Sequence, residues 1–390
     1  MSWPRHPGPV IDWLIGDART ITDGAGVLAG LAARLVEAGL PLARASLHFR
    51  PLHPQLYGMG FYWRRGAAGI ETTRAEHGVE QTNTFLDSPM RALIEGAAAV
   101  RQRLDLPDAD LPAPLFEELR AQGLSDYVAL PIRFGDGRIQ GTTWAADRPG
   151  GFSTAELDRI EDLLPLYGLL LEACFARTSA AILLDTYVGH NAGERILSGQ
   201  IRRGLGETVR AAIWFCDLRG FTALSEHVPR DALLRLLNDY FDVMAGAVES
   251  HGGEILKFMG DGMLAMFPLQ TDAACWRAVQ AAIEARAGMA ELNRRRAAAG
   301  EAPLGFGIAL HAGEVMYGNI GSRARLDFTV LGPAVNLTAR IEGLSRTLGH
   351  DVLVSDRFAG YCASSFRPLG RHRLPGIDRE VELFTLKDQE

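Results

Sequence analysis

Two periodicities divide the chain, one recurring every three or four residues and one of alternation or short continuous apolar runs. The first marks helices in "GVLAGLAARLVEAGL" (26–40) and "SPMRALIEGAAAVRQRL" (88–104). The second marks strands in "RASLHFRP" and "QLYGMGFYWRR". "DYVALPIRFGDGRIQGTTWAAD" (126–147) reads as two strands joined by a Gly–Asp–Gly hairpin. From residue 153 a long helix is expected, opened by the capping pair Ser153 and Glu156. Its residues Leu157, Ile160, Leu164, Tyr167, Leu171 and Cys174 form a heptad-like seam, with Pro165 expected to kink it. That seam has two readings, a coiled coil with a partner helix or an amphipathic face packed on its own domain. A polar, glycine-bearing stretch then leads to a region that starts near residue 208.

Beyond it the pattern sharpens. "AAIWFCD" (211–217) is a buried strand, and "RDALLRLLNDYFDVMAGAVESHGG" is an amphipathic helix stopped by glycines. "EILKFMGDGMLAMFP" is a hairpin turning at Gly260, Asp261 and Gly262, followed by a long helix over 272–300. "LGFGIALHAGEVMYGNIG" and "LDFTVLG" supply further strands, "AVNLTARIEGLSRTLG" a helix, and the end is mostly extended. Helices crossing between strands and hairpins predict an α+β sandwich of ferredoxin-like βαββαβ type, preceded by an α/β domain. The expected domains are 1–152, a connecting helix and linker at 153–207, and 208–390.

Composition narrows the chemistry. A net charge of −7 argues against nucleic-acid or anionic-membrane partners. The start, "MSWPRHPGPVIDW", has no apolar core of a signal peptide, and "LLPLYGLLLEACF" is interrupted by Pro165, Gly168 and Glu172. A cytoplasmic protein is expected. The four cysteines lie far apart without metal-ligand spacing and read as reduced thiols filling cores. His48, His53, His77 and His190 have no ligand partner by spacing, and Tyr62, Trp63 and Trp144 read as core or pocket lining.

Two carboxylates stand apart from this frame. Asp217 ends a buried strand and Asp261 sits at a hairpin tip, so neighbouring strands would converge them at one end of the sheet. Alone, the first is a helix cap and the second a turn residue. Together, with a strand carbonyl, they make a hard-oxygen site for Mg²⁺ or Mn²⁺. The segment Leu218, Gly220, Phe221 and Thr222 turns into a helix whose free N–H groups suit phosphate. Metal and phosphate ligands together suggest a nucleoside triphosphate.

"FCDLRGFTALSE", "GGEILKFMGDGMLAMF" and "LDFTVLGPAVNLTARIE" resemble, in order and spacing, the three signature segments of the class III nucleotidyl cyclases. The resemblance covers about residues 208–390, and "LLDTYVGHNAGERILSGQIRRGLGE" is similar to the linker that precedes many bacterial cyclase domains. It implies that Asp217 and Asp261 bind two metal ions per active site, Mg²⁺ or Mn²⁺. Lys257 and Thr329 would select the purine, Asn336 would position the ribose, and Arg340 would steady the transition state. Pro333 stands where many members carry Asp, and Thr329 replaces the Asp of many adenylate cyclases. Arg373 is either a triphosphate contact or a surface arginine. Lys257 can donate to adenine N1, whereas guanine N1 carries a proton, so the expected substrate is ATP and the product cyclic AMP, with guanylate cyclisation or a silent nucleotide-binding module as alternatives. The family's site is built across a dimer, which implies a homodimer with two equivalent sites. The first domain resembles a GAF-type sensor in layout, and an unknown small molecule or protein is its expected signal.

Overall fold

A computed structural model describes residues 8–106, 111–270 and 273–387, and the chain divides into two compact units, Met1–Leu183 and Leu184–Glu390. The first unit begins with α1 (Pro9–Ile15) and α2 (Gly24–Glu37), followed by strands β1 (Leu42–Phe49), β2 (Leu56–Arg64) and β3 (Glu71–Glu76). Helices α3 (Asn83–Leu86) and α4 (Pro89–Ile94) precede β4 (Val100–Arg103). Then come α5 (Pro114–Ala121), the strands β5 (Asp126–Arg133) and β6 (Ile139–Ala146), and α6 (Thr154–Val188), whose last turn belongs to the second unit. Among the described residues the strands form one antiparallel sheet in the order β3-β2-β1-β6-β5-β4.

Local signals start the helices where the sequence places them. Asp23 accepts a hydrogen bond from Gly26 N at 2.7 Å and so caps α2. The Ser153–Glu156 box forms reciprocally, with Ser153 N donating to Glu156 Oε2 at 2.8 Å. Helix α6 runs unbroken through Pro165. Ile160, Tyr167, Leu171, Cys174 and Phe175 are buried in one core with Leu28 and Leu31 of α2 and with Leu47 and Val128 of the sheet. Phe49 and Phe175 stack there at 3.7 Å between ring centroids. The seam is thus an amphipathic face packed within its own unit.

Two expectations need correction. The predicted helix over 88–104 ends at Ile94, because Gly96 takes φ 109° and the chain re-enters the sheet as β4 beside β5. In addition, α6 is long and apolar enough by length and composition to cross a membrane, contrary to the reading from its interruptions. One face of it, with Ile160, Tyr167, Leu171 and Cys174, is buried in the core, while Leu169 on another face is exposed.

The second unit contains α7 (His190–Leu197), β7 (Gly206–Leu218), α8 (Phe221–His227), α9 (Arg230–Ser250), β8 (Glu254–Met259), β9 (Gly262–Pro268) and α10 (Ala273–Ala298). It continues through β10 (Phe306–Gly321), β11 (Leu326–Leu331), α11 (Pro333–Glu342), α12 (Ser345–Leu348), β12 (Val352–Ser355) and α13 (Asp356–Ala359). Strands β13 (Phe366–His372) and β14 (Val381–Leu386) end it. The sheet order is β13-β14-β12-β10-β7-β9-β8, with β11 paired to β10. Its half β10-β7-β9-β8 is antiparallel throughout, with α9 after β7 and α10 after β9, which is the ferredoxin-like arrangement.

Strands β7 and β9 read as continuous apolar runs because both faces are covered. Trp214, Cys216, Met263 and Phe267 pack beneath Tyr240 and Met244 of α9 and Ala282 and Met289 of α10. On the other face Ile213, Leu264 and Met266 meet Val330 and Ala334.

Two glycines test this packing with opposite signs. Gly318 on β10 faces Gly206 on β7, and a Cβ there would run into the backbone of Leu205 and Gly206. Gly246 on α9 has nothing within 4 Å of such a Cβ. Scanning calorimetry of the full chain should show Gly318→Ala destabilised by about 1–3 kcal/mol. Gly246→Ala should be stabilised by up to about 1 kcal/mol. Equal stability of Gly318→Ala and the unaltered chain would contradict the close strand approach.

Candidate active site

The central strand β7 keeps partners on both sides as far as Cys216, which pairs with Met263 of β9 and Ile308 of β10. One residue further, Asp217 still pairs with Gly307 of β10, but β9 has begun only at Gly262. The two-residue turn between β8 and β9, closed by the Met259–Gly262 pair, holds Gly260 and Asp261. Gly260 takes φ 68°, a value suited to the first position of such a turn. Register and turn therefore deliver the Asp261 carboxyl to the exposed end of β7. The approach is close: a Cβ on Gly262 would lie 3.4 Å from Asp217 Oδ1 and 3.3 Å from the Cys216 carbonyl oxygen.

Crowding shows in the proton affinity of Asp217, pushed up to about 7. Half-burial is the largest cause, followed by a hydrogen bond with Asp261 and the charges of Asp261 and Glu342. The Leu218 N–H opposes them. Glu342, at the end of α11, is also raised, first by burial. Ser345 Oγ donates to Glu342 Oε1 at 3.1 Å, and Arg219 offsets part of that rise. Among the described residues no cluster of three His, Cys, Asp or Glu side chains is arranged to hold a metal. A cation here would rest on Asp217, Asp261 and backbone oxygen. Those residues fit one, since two hard carboxylates with uncompensated like charge converge where Gly262 leaves the Cβ position empty.

The turn after Asp217 is anchored from outside. Arg219 N donates to Gly305 O at 2.9 Å, and its guanidinium pairs with Asp351 at 3.1 Å and donates to His350 O at 2.9 Å. Leu218 is buried, Gly220 takes φ 75° as N-cap of α8, Phe221 is half-buried against the core, and Thr222 is exposed. No side chain caps α8. Neither Arg219 nor Glu342 is singled out by sequence reasoning. Arg219 lies inside the motif yet points at distant carbonyls, and Glu342 reaches the carboxylates only through the placement of α11.

The remaining predicted residues fall in two further places. Lys257 is half-buried on β8, just past a register shift, with no side-chain partner among the described residues. Thr329 on β11 is 3% exposed, and among the described residues its Oγ1 has no hydrogen-bond partner. Leu256 shares a core cluster with Phe328 and Val330, so the strands that carry Lys257 and Thr329 pack together. Asn336 and Arg340 lie on the exposed face of α11, whose Ala334, Leu337, Thr338 and Ile341 are buried. Arg373, with a side chain 89% exposed, pairs with Glu380 at 3.5 Å. Among the described residues no hydrogen bond or ion pair joins the aspartates to Lys257, Thr329, Asn336 or Arg340.

Residues 206–388 match the family of adenylate and guanylate cyclase catalytic domains. The second unit therefore carries a catalytic domain of that family. An adenylate cyclase of Anabaena cylindrica is 33% identical over 196 residues, covering 48% of this chain and 38% of that protein. Adenylate cyclase 1 of Rhizobium meliloti is 28% identical over 174 residues, covering 44% and 26%. This chain thus spans well under two thirds of either relative. The solved structure of the adenylyl cyclase CyaB from P. aeruginosa is 28% identical with a TM-score of 0.44, covering 48% of this chain and 97% of that one.

The raised Asp217 has a consequence for stability. Its folded-state value of about 7 lies above the ordinary 3.8, so between these pH values the folded chain holds a proton that the unfolded chain has lost. Stability of the metal-free protein should then fall as pH rises from about 4 to 7. Asp217→Asn should flatten that part of the profile, measured by thermal melts in chelator. A variant profile parallel to that of the unaltered chain would refute the crowding.

Proposed function

We propose that the protein cyclises ATP to 3′,5′-cyclic AMP with release of pyrophosphate. The observation that carries this reading is the convergence of Asp217 and Asp261 at one end of the sheet of a cyclase catalytic domain. In the reaction the ribose 3′-oxygen attacks the α-phosphorus in line. A 3′-O–P bond forms, the bond from the α-phosphorus to the bridging oxygen breaks, and the hydroxyl proton is released. Divalent cations held by Asp217 and Asp261, Mg²⁺ or Mn²⁺, would supply acidification of the 3′-hydroxyl and neutralisation of the leaving pyrophosphate.

This chain's own residues do the positioning. In the turn that starts at Leu218, whose own N–H serves Asp217, the amides of Gly220, Phe221 and Thr222 at the uncapped start of α8 face phosphate oxygens. Arg340 places its charge on the pentavalent phosphorus, and Asn336, one helical turn earlier, holds the ribose. Arg373 is free to leave its surface pair with Glu380 for the triphosphate, a pair of small worth. Lys257 donates to adenine N1, and the unpartnered Thr329 hydroxyl accepts from the adenine amino group. The names of the Anabaena and Rhizobium relatives support adenine. The same hydroxyl could donate to guanine O6, so guanylate cyclisation is the second reading.

Within this reading the active site is completed by a second copy of the chain. One protomer contributes Asp217 and Asp261, and its partner contributes the purine, ribose and transition-state residues, giving a homodimer with two sites. The first unit, with its GAF-like layout of an antiparallel sheet between helices, acts as the regulatory domain.

The deciding assay measures cyclic nucleotide made by the full chain from ATP or GTP with Mg²⁺ or Mn²⁺. Cyclic AMP should form and vanish in Asp217→Ala, and Arg340→Ala should lose about 10²–10³ in rate. Mixing inactive Asp217→Ala with Arg340→Ala should restore about a quarter of the unaltered activity, because half the dimers carry one intact site. Faster turnover of GTP would favour the guanylate reading, and no recovery on mixing would rule out the shared site.

A further inference from the structure

The sheet of the first unit uses its two faces differently. Ala45, Leu47 and Phe49 of β1 enter the core beneath α2 and α6, so Arg44, Ser46 and His48 project from the opposite face. In the ladder His48 stands between Gly60 of β2 and Gly141 of β6. Neither neighbour has a side chain, which opens a space above the imidazole. Neither could acquire one freely. A Cβ on Gly60 would come within 2.7 Å of Thr73 Oγ1, and one on Gly141 would run into Met90 Sδ.

Two adjoining cavities of about 230 and 560 Å³ occupy that face and share His48, Tyr62, Thr73, Thr84, Ser88 and Met90 in their walls. The smaller is apolar, walled by Met59, Phe85, Leu93 and Ile94. Arg44, Ser46, Tyr127 and Thr143 give the larger its polar wall. Ser46 Oγ lies 2.9 Å from His48 Nε2 and 2.6 Å from Thr143 Oγ1, so these three groups satisfy one another. Burial and the neighbouring Arg44 hold His48 neutral, its pKa lowered to about 4.

Arg44 is the group left over. Its Nε is buried without a hydrogen-bond partner, and no carboxylate pairs with it among the described residues. The guanidinium lies 5.3 Å from the Tyr62 ring centroid. The other cation of this lobe, Arg64, is committed to Glu71 at 3.8 Å. Asp87 and Glu118 also line the lobe, but both are exposed. A half-buried guanidinium whose Nε has no hydrogen-bond partner carries an unmet demand, and the missing counter-charge is what a ligand can bring.

We infer that this cleft binds a small organic monocarboxylate with an apolar body, its carboxylate on Arg44 and its apolar part in the lobe beneath Met90 and Leu93. A planar carboxylate matches the guanidinium fork, whereas a dianion would find one free cation and three carboxylates, Glu71, Asp87 and Glu118, in the same wall. This deepens the regulatory reading of the unit, since it names the class of signal, but binding itself does not depend on cyclase activity.

The test is isothermal titration of the full chain with 4-phenylbutyrate and with its neutral amide. The acid should bind saturably and at least about tenfold more tightly than the amide, the increment of a charge-assisted hydrogen bond. Arg44→Gln should erase that preference while leaving the amide's affinity unchanged, and Arg64→Gln should preserve it. Equal affinity for acid and amide, no binding of either, or a preference surviving in Arg44→Gln overturns the proposal. Tighter binding of the corresponding phenylbutyl phosphate overturns the monocarboxylate assignment. Should Arg44→Gln fail to fold by circular dichroism, the acid–amide comparison on the unaltered chain still decides. A chain that binds the acid but makes no cyclic nucleotide would refute the functional reading alone; an active cyclase indifferent to the acid would refute this one alone.

Discussion

Strand β7 loses one of its two partners at a single residue, and the geometry of the second unit turns on that. Through Cys216 it is held on both sides by antiparallel ladders set deep in apolar packing. At Asp217 the β9 side gives way to the turn that bears Asp261. Backbone hydrogen bonds and the burial of Trp214, Met263 and Phe267 bring the two carboxyl groups together, and Asp217 answers the crowding by keeping its proton and hydrogen-bonding with Asp261. Because side chains alternate along a strand, a slip of one residue would turn Asp217 toward the α9–α10 core and Cys216 toward the site. The large apolar core is thus what specifies the position of the carboxylates.

The same logic, with glycine in place of a strand end, shapes the first unit. A sheet with helices on one face normally offers the other as a wall. Here the row Gly60–His48–Gly141 is bare on both sides of the imidazole, and Met90 and Thr73 come down over the bare positions. The space that results has an apolar end beneath Leu93 and Ile94 and a polar end where the sheet presents Arg44, Ser46, Tyr127 and Thr143. In both units backbone geometry creates an opening at a place where polar groups are left with unmet demands: Asp217 and Asp261 lack a counter-charge, as does Arg44.

Helix α6 shows how one pattern can carry several readings until its partner is known. Its apolar stripe suits a coiled coil, a bilayer or a domain core by composition alone. Stacking of Phe175 on Phe49 and burial of Tyr167 and Leu171 with α2 place the stripe in the core of the first unit. An apolar stripe records that water is to be excluded and leaves the identity of the covering surface open.

Much of the second unit was legible in the residues themselves. A continuous apolar run announced β7 as a buried strand, and the Gly260–Asp261–Gly262 turn announced the hairpin of β8 and β9. The motif spacing placed Asp217, Asp261, Lys257, Asn336 and Arg340 on the elements where they stand. These are local properties, dictated by turn chemistry and periodicity. What only the tertiary structure decided depends on contacts distant in sequence. Glu342 adds its charge to the aspartates because α11 lies across β10, and Arg219 anchors the turn through Asp351 and His350. Thr329 is buried without a hydrogen-bond partner among the described residues on β11, a strand held by β10 and in contact with β8. Strand β4 replaced the second half of an expected helix because β5 offered an open edge, and the cleft lies at His48 where Gly60 and Gly141, distant from each other in sequence, flank it in the ladder. Short-range propensity determines which element a segment forms; burial and hydrogen bonding between remote segments determine which polar groups are left to act.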